Sequence, residues 1–149
     1  MNTETTLKLA ELRNVIATKE ASGNYAQISE IIRLAPEGFT VLSGNDDETF
    51  SLMCTGAKGI ISVASNVAPE PIVRMTKLLS QGKTAEAAAL HHRLMPLFKG
   101  CFVESNPIPV KAALSISGLI ENRLRLPLTS SSEETDRVME KLLKELELI

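Results

Sequence analysis

The sequence is poor in aromatic residues and cysteine, and it has no long apolar run. Its 149 residues include no Trp, one Tyr and two Cys, and the formal net charge is −2. This length fits one domain of ordinary size. No stretch approaches the roughly 18 consecutive apolar residues of a membrane-spanning helix. The basic residues are scattered and form no patch for phosphate backbones. We therefore expect neither nucleic acid nor membrane as a partner.

The cysteines and the first residues bear on cellular location. Cys54 and Cys101 have neither a CxxC spacing nor a His placed to complete a metal site, which predicts reduced, buried thiols. The start MNTETTLKLAELR holds an acid and polar residues, whereas a secretory signal has a basic cluster followed by an apolar run. The sequence therefore predicts a cytoplasmic protein, and it indicates no metal and no cofactor.

Short apolar runs alternate with amphipathic stretches in the first part of the chain, a pattern typical of parallel strands joined by helices. The predicted strands are residues 14–19, 39–43 and 59–63. An Asn follows each of them, where it can cap the next helix or adopt a left-handed conformation. Right-handed crossovers place the carboxyl ends of such strands at one edge of the sheet. We therefore expect Lys19 and Gly44, at two of these ends, to be close neighbours.

From Thr84 onward the pattern is helical only. The predicted helices cover residues 85–98, a segment from about 106 to 117, and residues 133–149. The apolar stripe of the last helix either docks on the rest of the chain, which is the more frequent arrangement, or forms an oligomer interface. The sequence thus predicts an α/β chain with a βα region at residues 1–82 and a helical region at residues 83–149. A complete eight-stranded barrel takes roughly 200 to 250 residues, so this chain cannot hold one.

Lys19 is the first candidate for chemistry. It ends an apolar strand, where partial desolvation favours the neutral amine, which is the form that attacks a carbonyl. This is what a Schiff-base lysine requires. The alternative is an ordinary lysine that faces solvent as it leaves a strand, and on this feature alone the alternative is the commoner case.

The turn after the second strand is another candidate. Gly44 lets a carboxylate or phosphate approach the backbone amides, and the helix that follows adds its positive end. The alternative is a tight turn in which Asp46 or Asp47 caps the helix. Ser62 and Ser65, near the end of the third strand, are likewise caps more often than ligands.

Three further polar residues stand out in the helical part. His91 and His92 are adjacent on a predicted helix, so their side chains point about 100° apart and cannot both face one metal. We predict that they are surface side chains. Glu104 lies near a helix start and is predicted to be a hydrogen-bonding anchor.

Five motifs resemble the carboxy-terminal half of the dihydrodipicolinate synthase family. In chain order they are NVIATKEASGN, FTVLSGNDDETF, GAKGIISVASN, FVESNPIPVKAAL and RLRLPLT. Members of this family are pyruvate-dependent lyases that join pyruvate to aspartate semialdehyde in lysine biosynthesis. Their fold is a (β/α)8 barrel with a carboxy-terminal helical domain. The resemblance therefore implies a partial barrel in which the three predicted strands correspond to strands six to eight.

The resemblance also implies roles for individual residues. Lys19 matches the Schiff-base lysine, while Gly44 and Ile61 match positions whose backbone contacts pyruvate. The family's first five strands carry a threonine motif, the tyrosines of a proton relay and an arginine that holds the substrate carboxylate, and these have no counterpart here. The only tyrosine, Tyr25, does not match the relay.

These differences leave three interpretations of the function. The chain is a truncated synthase that is inactive alone and associates with itself, or it is half of a split synthase that is active with a separate amino-terminal half. In the third interpretation it is a non-catalytic binding or regulatory module that keeps a pyruvate-reactive lysine.

Overall fold

Helices dominate the computed structural model, which describes residues 1–149. The elements in chain order are α1 (Thr3–Ala10), β1 (Ala17–Glu20), α2 (Tyr25–Leu34), β2 (Thr40–Ser43), α3 (Thr49–Cys54), α4 (Pro69–Ser80), α5 (Thr84–Gly100), α6 (Ile108–Ile116) and α7 (Glu133–Glu145). Two short 3₁₀ turns, at Asp46–Glu48 and Ala64–Asn66, follow the carboxyl ends of the sheet segments. No strand follows residue 43, and α5, α6 and α7 form the helical carboxy-terminal part.

The sheet is parallel, as predicted, but smaller than predicted. β1 pairs with β2 over four residues, with Ala17 opposite Thr40 and Glu20 opposite Ser43. The predicted third strand, residues 59–63, is reduced to a single bridge between Ser43 and Ile60. The prediction of three complete strands is therefore wrong in extent, although the third segment does run parallel beside β2.

The short ladder at the third segment has a physical cause. Hydrogen bonds join it to β2 only through Lys58 N to Val41 O, Ser43 N to Gly59 O and Ile61 N to Ser43 O, at 2.8–2.9 Å. The next amide along, that of Val63, donates instead to the carboxylate of Asp46 at 3.0 Å. An amide that donates to a side chain cannot extend a strand ladder, so the pairing ends at Ile61.

Two apolar clusters hold the chain together. The smaller one lies between α2, α3 and β2 and is built around Ile28, Ile31 and Leu52. The larger one joins α4, α5 and α7, and its buried members come from both sides of residue 82, for example Met75 and Leu97. The larger core therefore crosses the predicted boundary between residues 1–82 and 83–149, and a division into two domains there stays a prediction.

Side-chain caps explain where two helices begin. The side chain of Asn24 accepts the amide of Gln27 at 3.1 Å and caps α2, as expected of the Asn after the first strand. Ser132 caps α7 by accepting the amide of Thr135 at 3.2 Å.

Glu104 is the predicted hydrogen-bonding anchor, because its carboxylate accepts the hydroxyls of Thr135 and Ser132 and the amide of Ser132. These hydrogen bonds lower the pKa of Glu104.

The last helix docks within the chain, the arrangement favoured by its pattern. Met139 and Leu143 are fully buried and belong to the same apolar cluster as α4 and α5. The helix ends at Glu145, four residues before the predicted end, because Glu147 adopts a positive φ of 59° that a right-handed helix cannot contain.

Two predictions about burial are wrong. His91 is only 8 % exposed, because α5 carries it against Phe50 and Phe98. Cys54 is exposed, whereas Cys101 is buried as predicted. The buried side chains of α3 are Thr49 and Leu52, so the helix turns Cys54 outward. Burial raises the pKa of the Cys101 thiol to about 12.

None of the helices combines the length and the apolar character that a membrane crossing requires. The cytoplasmic location stays a prediction of the sequence.

Candidate active site

The carboxyl ends of the three sheet segments lie side by side. The amide of Gly44 donates to the carbonyl of Glu20 at 2.7 Å, which ties the end of β2 to the end of β1. The amide of Ile61 donates to the carbonyl of Ser43 at 2.9 Å, which ties the third segment to β2. The predicted arrangement of strand ends at one edge is confirmed, and it brings Lys19, Gly44 and Ile61 onto adjacent segments.

Lys19 packs directly over Gly44. A Cβ atom placed on Gly44 would lie 2.8 Å from Cε of Lys19 and 2.7 Å from Cβ of Ala21, which is closer than such atoms approach one another. The predicted neighbourhood of Lys19 and Gly44 is therefore confirmed, and position 44 has to be glycine for the lysine side chain to lie where it does. Gly44 itself is buried, whereas Lys19 is exposed.

The amine of Lys19 has no carboxylate partner. The seven ion pairs of the molecule all involve other residues, and most join neighbours on one helix. An amine that is exposed and unpaired is accessible to a small carbonyl compound, and a free lysine amine is the group that forms imines. This geometry is compatible with imine chemistry at Lys19.

A buried carboxylate joins two of the strand ends. Asp46 is only 2 % exposed. One of its oxygens accepts the hydroxyl of Ser62, and the other accepts the amides of Val63 at 3.0 Å and Ala64 at 3.3 Å. The hydroxyl of Ser62 in turn accepts the amide of Ser65 at 2.8 Å. Asp46 therefore caps the 3₁₀ turn that follows the third segment.

This role of Asp46 differs from the sequence-based interpretation. In the sequence-based alternative, Asp46 or Asp47 caps the helix that follows, whereas the carboxylate of Asp46 accepts hydrogen bonds from amides 17 and 18 residues away in sequence. Ser62 and Ser65, which are caps more often than ligands, both take part in this distant turn. The one signal in the sequence is an acid placed two residues after Gly44, and it does not identify the distant partner.

Two hydroxyls hold the turn that carries Gly44. Ser43 Oγ donates to the carbonyl of Asn45 at 2.9 Å. Thr49 Oγ1 lies 2.8 Å from the same carbonyl and 3.0 Å from Ser43 Oγ. Both side chains are fully buried, so these hydrogen bonds fix the backbone on either side of Gly44.

Ile61, the third predicted site residue, lies at the open edge. Its side chain is 48 % exposed, and its backbone carbonyl accepts no hydrogen bond within the chain. The segment is thus attached on one side only, to β2. No group of three or more His, Cys, Asp or Glu side chains is arranged to hold a metal ion.

Comparison with known proteins decides the family. The sequence model of the dihydrodipicolinate synthetase family matches residues 1–146. The chain belongs to this family. It is 48 % identical over 147 residues to the 4-hydroxy-tetrahydrodipicolinate synthase of Thermosipho melanesiensis and 49 % identical over 142 residues to that of Archaeoglobus fulgidus. These alignments cover 98 % and 95 % of this chain but 51 % and 49 % of the two relatives.

Solved structures of the family agree with this match. The dihydrodipicolinate synthase of Thermotoga maritima superposes with a TM-score of 0.95 at 46 % identity, covering 99 % of this chain and 51 % of that one. The chloride-inhibited enzyme of Acinetobacter baumannii, solved with pyruvate, gives a TM-score of 0.94 at 34 % identity, with coverage of 99 % and 51 %. The chain thus spans about half the length of the synthases it matches and folds as the corresponding half of their structures.

Proposed function

We propose that this chain supplies the imine-forming part of a dihydrodipicolinate synthase, with Lys19 as the Schiff-base lysine. The observation that carries the proposal is the exposed side chain of Lys19, which has no ion-pair partner and packs over Gly44 at the carboxyl edge of the sheet. The family membership of the chain and the pyruvate bound to the Acinetobacter relative support pyruvate as the ligand. The backbone at Gly44 and Ile61 is then the surface against which pyruvate lies.

The chemistry at Lys19 is the formation of an imine. The neutral amine adds to the keto carbon of pyruvate, the carbon–oxygen bond breaks, and oxygen leaves as water while the carbon–nitrogen double bond forms. In the complete reaction of the family, the bound pyruvate then attacks aspartate semialdehyde. Each positioned acid or base typically contributes 10² to 10⁴ in rate to such proton transfers.

The tyrosine relay of the family has no counterpart in residues 1–149. The hydroxyl of Tyr25, the only tyrosine, donates to the backbone carbonyl of Glu48 at 3.3 Å. We therefore propose that this chain alone binds pyruvate as an imine but does not condense it at the rate of a full synthase. The strands of the chain take the places of barrel strands six to eight in this proposal.

Borohydride trapping tests the proposal. The chain is incubated with pyruvate and borohydride, and the adduct is located by intact-mass and peptide analysis. We expect one adduct on Lys19, none in Lys19→Ala, and unchanged trapping in Lys58→Ala, an exposed lysine at the opposite end of the third segment. Absence of an adduct in the unsubstituted chain, or equal labelling of several lysines, contradicts the assignment of Lys19.

A coupled assay of condensation on the same samples tests the proposal that this chain alone does not condense pyruvate at the rate of a full synthase. We expect turnover far below that of a full-length synthase assayed in parallel. Robust turnover by the chain alone that is lost in Lys19→Ala would overturn the view that residues 1–149 lack the acid, base and carboxylate clamp.

A second candidate function is that of one half of a split synthase. A groove of about 450 Å³ lies between the third segment and α4, and it is lined by Gly59, Ile60, Val73 and Thr76 among others. An amino-terminal half that adds strands at the open edge of the third segment would cover the groove. Restoration of condensation on mixing with a separately prepared amino-terminal half supports this candidate, and no gain on mixing favours the inactive or ligand-binding alternatives.

A further inference from the structure

We propose that Asp46 is a positioning residue for pyruvate: its buried carboxylate sets the spacing between the backbone at Gly44 and the backbone at Ile61. The inference rests on the proposed function, because it takes these two positions as the pyruvate contacts. Asp46 follows Gly44 by two residues, and the first donor it binds, Ser62, directly follows Ile61. The carboxylate therefore links the two contact positions across the sheet edge.

The link is needed because the third segment is held on one side only. Its only partner in the sheet is β2, and the three backbone hydrogen bonds between them end at Ile61. Beyond Ile61, the hydrogen bonds to Asp46 take over from the ladder, with Val63 and Ala64 bound through their amides. A carboxylate that accepts several hydrogen bonds in a buried place makes charge-assisted bonds, which are stronger than neutral ones.

The positions of Lys19 and Asp46 predict which step of pyruvate trapping depends on Asp46. Lys19 lies on β1, whose ladder to β2 does not involve Asp46. Loss of the carboxylate therefore loosens the surface that holds pyruvate but leaves the amine in place. Loss of a hydrogen bond to a ligand weakens its binding by up to about tenfold without changing the reactivity of an amine that stays in place. When the carboxylate of Asp46 is removed, the pyruvate concentration that gives half-maximal trapping should therefore rise. The trapping rate at saturating pyruvate should remain unchanged.

The experiment measures the rate of borohydride trapping as a function of pyruvate concentration for the intact chain and its variants. We expect Asp46→Ala to raise the half-saturating concentration by about tenfold, and Asp46→Asn, which keeps one acceptor oxygen, to raise it less. The matched control is Asp47→Ala, an exposed neighbour on the same turn, which should leave both quantities unchanged. A merely structural role would instead lower the amount of trapped protein without moving the half-saturating concentration.

Ser62→Ala keeps the test decisive if Asp46→Ala does not fold. It removes one of the three donors to Asp46, and we expect a smaller shift in the same direction. The double variant Asp46→Ala with Ser62→Ala should shift the half-saturating concentration by less than the two single shifts combined, because Asp46→Ala already removes the hydrogen bond of Ser62. An unchanged half-saturating concentration in folded Asp46→Ala, or in Ser62→Ala, overturns the proposal.

Amide exchange separates failure of this inference from failure of the proposed function. If the unsubstituted chain traps no pyruvate, the proposed function fails, and the link is judged from exchange alone. Faster exchange of the Val63 and Ala64 amides in Asp46→Asn, with unchanged rates in β1, supports the link. Equal exchange in the variant and the unsubstituted chain overturns it.

Discussion

At the scale of single residues, Gly44 matters because it has no side chain. The side chain of Lys19 and the Cβ of Ala21 occupy the space that any other residue at position 44 would need. Lys19 can move, since its side chain is flexible, but Ala21 is held by the backbone. A larger residue at position 44 must therefore displace the side chain of Lys19 or shift the end of β2 away from Ala21.

We predict that Gly44→Ala lowers the rate of pyruvate trapping at Lys19 by about 10- to 100-fold, because misplacement of the amine by a fraction of an ångström to 1 Å has effects of this order. The control is Gly59→Ala, where the added Cβ meets Leu42 at an ordinary 3.5 Å. Trapping in the control should change by less than about twofold. Equal rates for Gly44→Ala and the unsubstituted chain would show that Lys19 does not need the space.

At the scale of elements, His91 joins the carboxy-terminal helices to the site. Its ring lies 5.5 Å from that of Phe50 on α3 and 6.0 Å from that of Phe98 on α5. Its Nδ1 atom is buried and makes no hydrogen bond. Burial, reinforced by the nearby His92, lowers the pKa of His91, and the negative charge of Asp47 opposes this only in part.

We predict that the packing of α5 on α3 weakens in mild acid. Because the folded chain holds His91 at a pKa below the unfolded value of about 6.5, the unfolded state binds more protons as the pH falls. The stabilisation is fully present above about pH 6.5 and is lost as the pH falls toward the pKa in the folded state. We therefore expect the free energy of unfolding to be lower at pH 5.5 than at pH 7.5.

Urea unfolding at pH 7.5 and pH 5.5 measures this loss. His91→Leu should remove it, and the exposed His92 offers the control, since His92→Ala should retain most of it. If the free energy of unfolding of His91→Leu depends on pH as it does in the unsubstituted chain, groups other than His91 cause the effect.

At the scale of the whole molecule, the sheet has two open edges. The outer side of β1 and the outer side of the third segment have no strand beside them. Large apolar side chains lie exposed near both edges, with Ile16 at 71 % and Ile61 at 48 %. Unpaired strand edges with exposed apolar side chains favour association with another chain.

We predict that the chain associates with itself in the absence of a complementing half. Light scattering over a range of concentrations should show a mass above that of the monomer. Ile16→Lys should lower the association, because a charge on an edge strand opposes pairing. Leu126→Lys, at an exposed position remote in sequence from the sheet, is the control and should leave it unchanged. If the chain stays monomeric at high concentration and unfolds cooperatively, the open edges of the sheet do not drive association.

The sequence alone determined the features that depend on local pattern. The positions of α5, α6 and α7 follow from apolar periodicity, and the start of α2 follows from the cap at Asn24, because these signals lie within a few residues of one another. The side-by-side placement of Lys19 and Gly44 also followed from sequence, because parallel strands with right-handed crossovers permit little else. The family followed from five motifs in order.

Only the tertiary structure decided the features that depend on distant partners. The third segment stops at a single bridge because Asp46 takes the amide of Val63, and no local pattern connects these two residues. His91 is buried because α3 and α5 meet around it, although its sequence neighbourhood is that of a surface helix. Long-range packing and hydrogen bonds override local propensity wherever the two compete, and in this chain they compete around the carboxyl edge of the sheet.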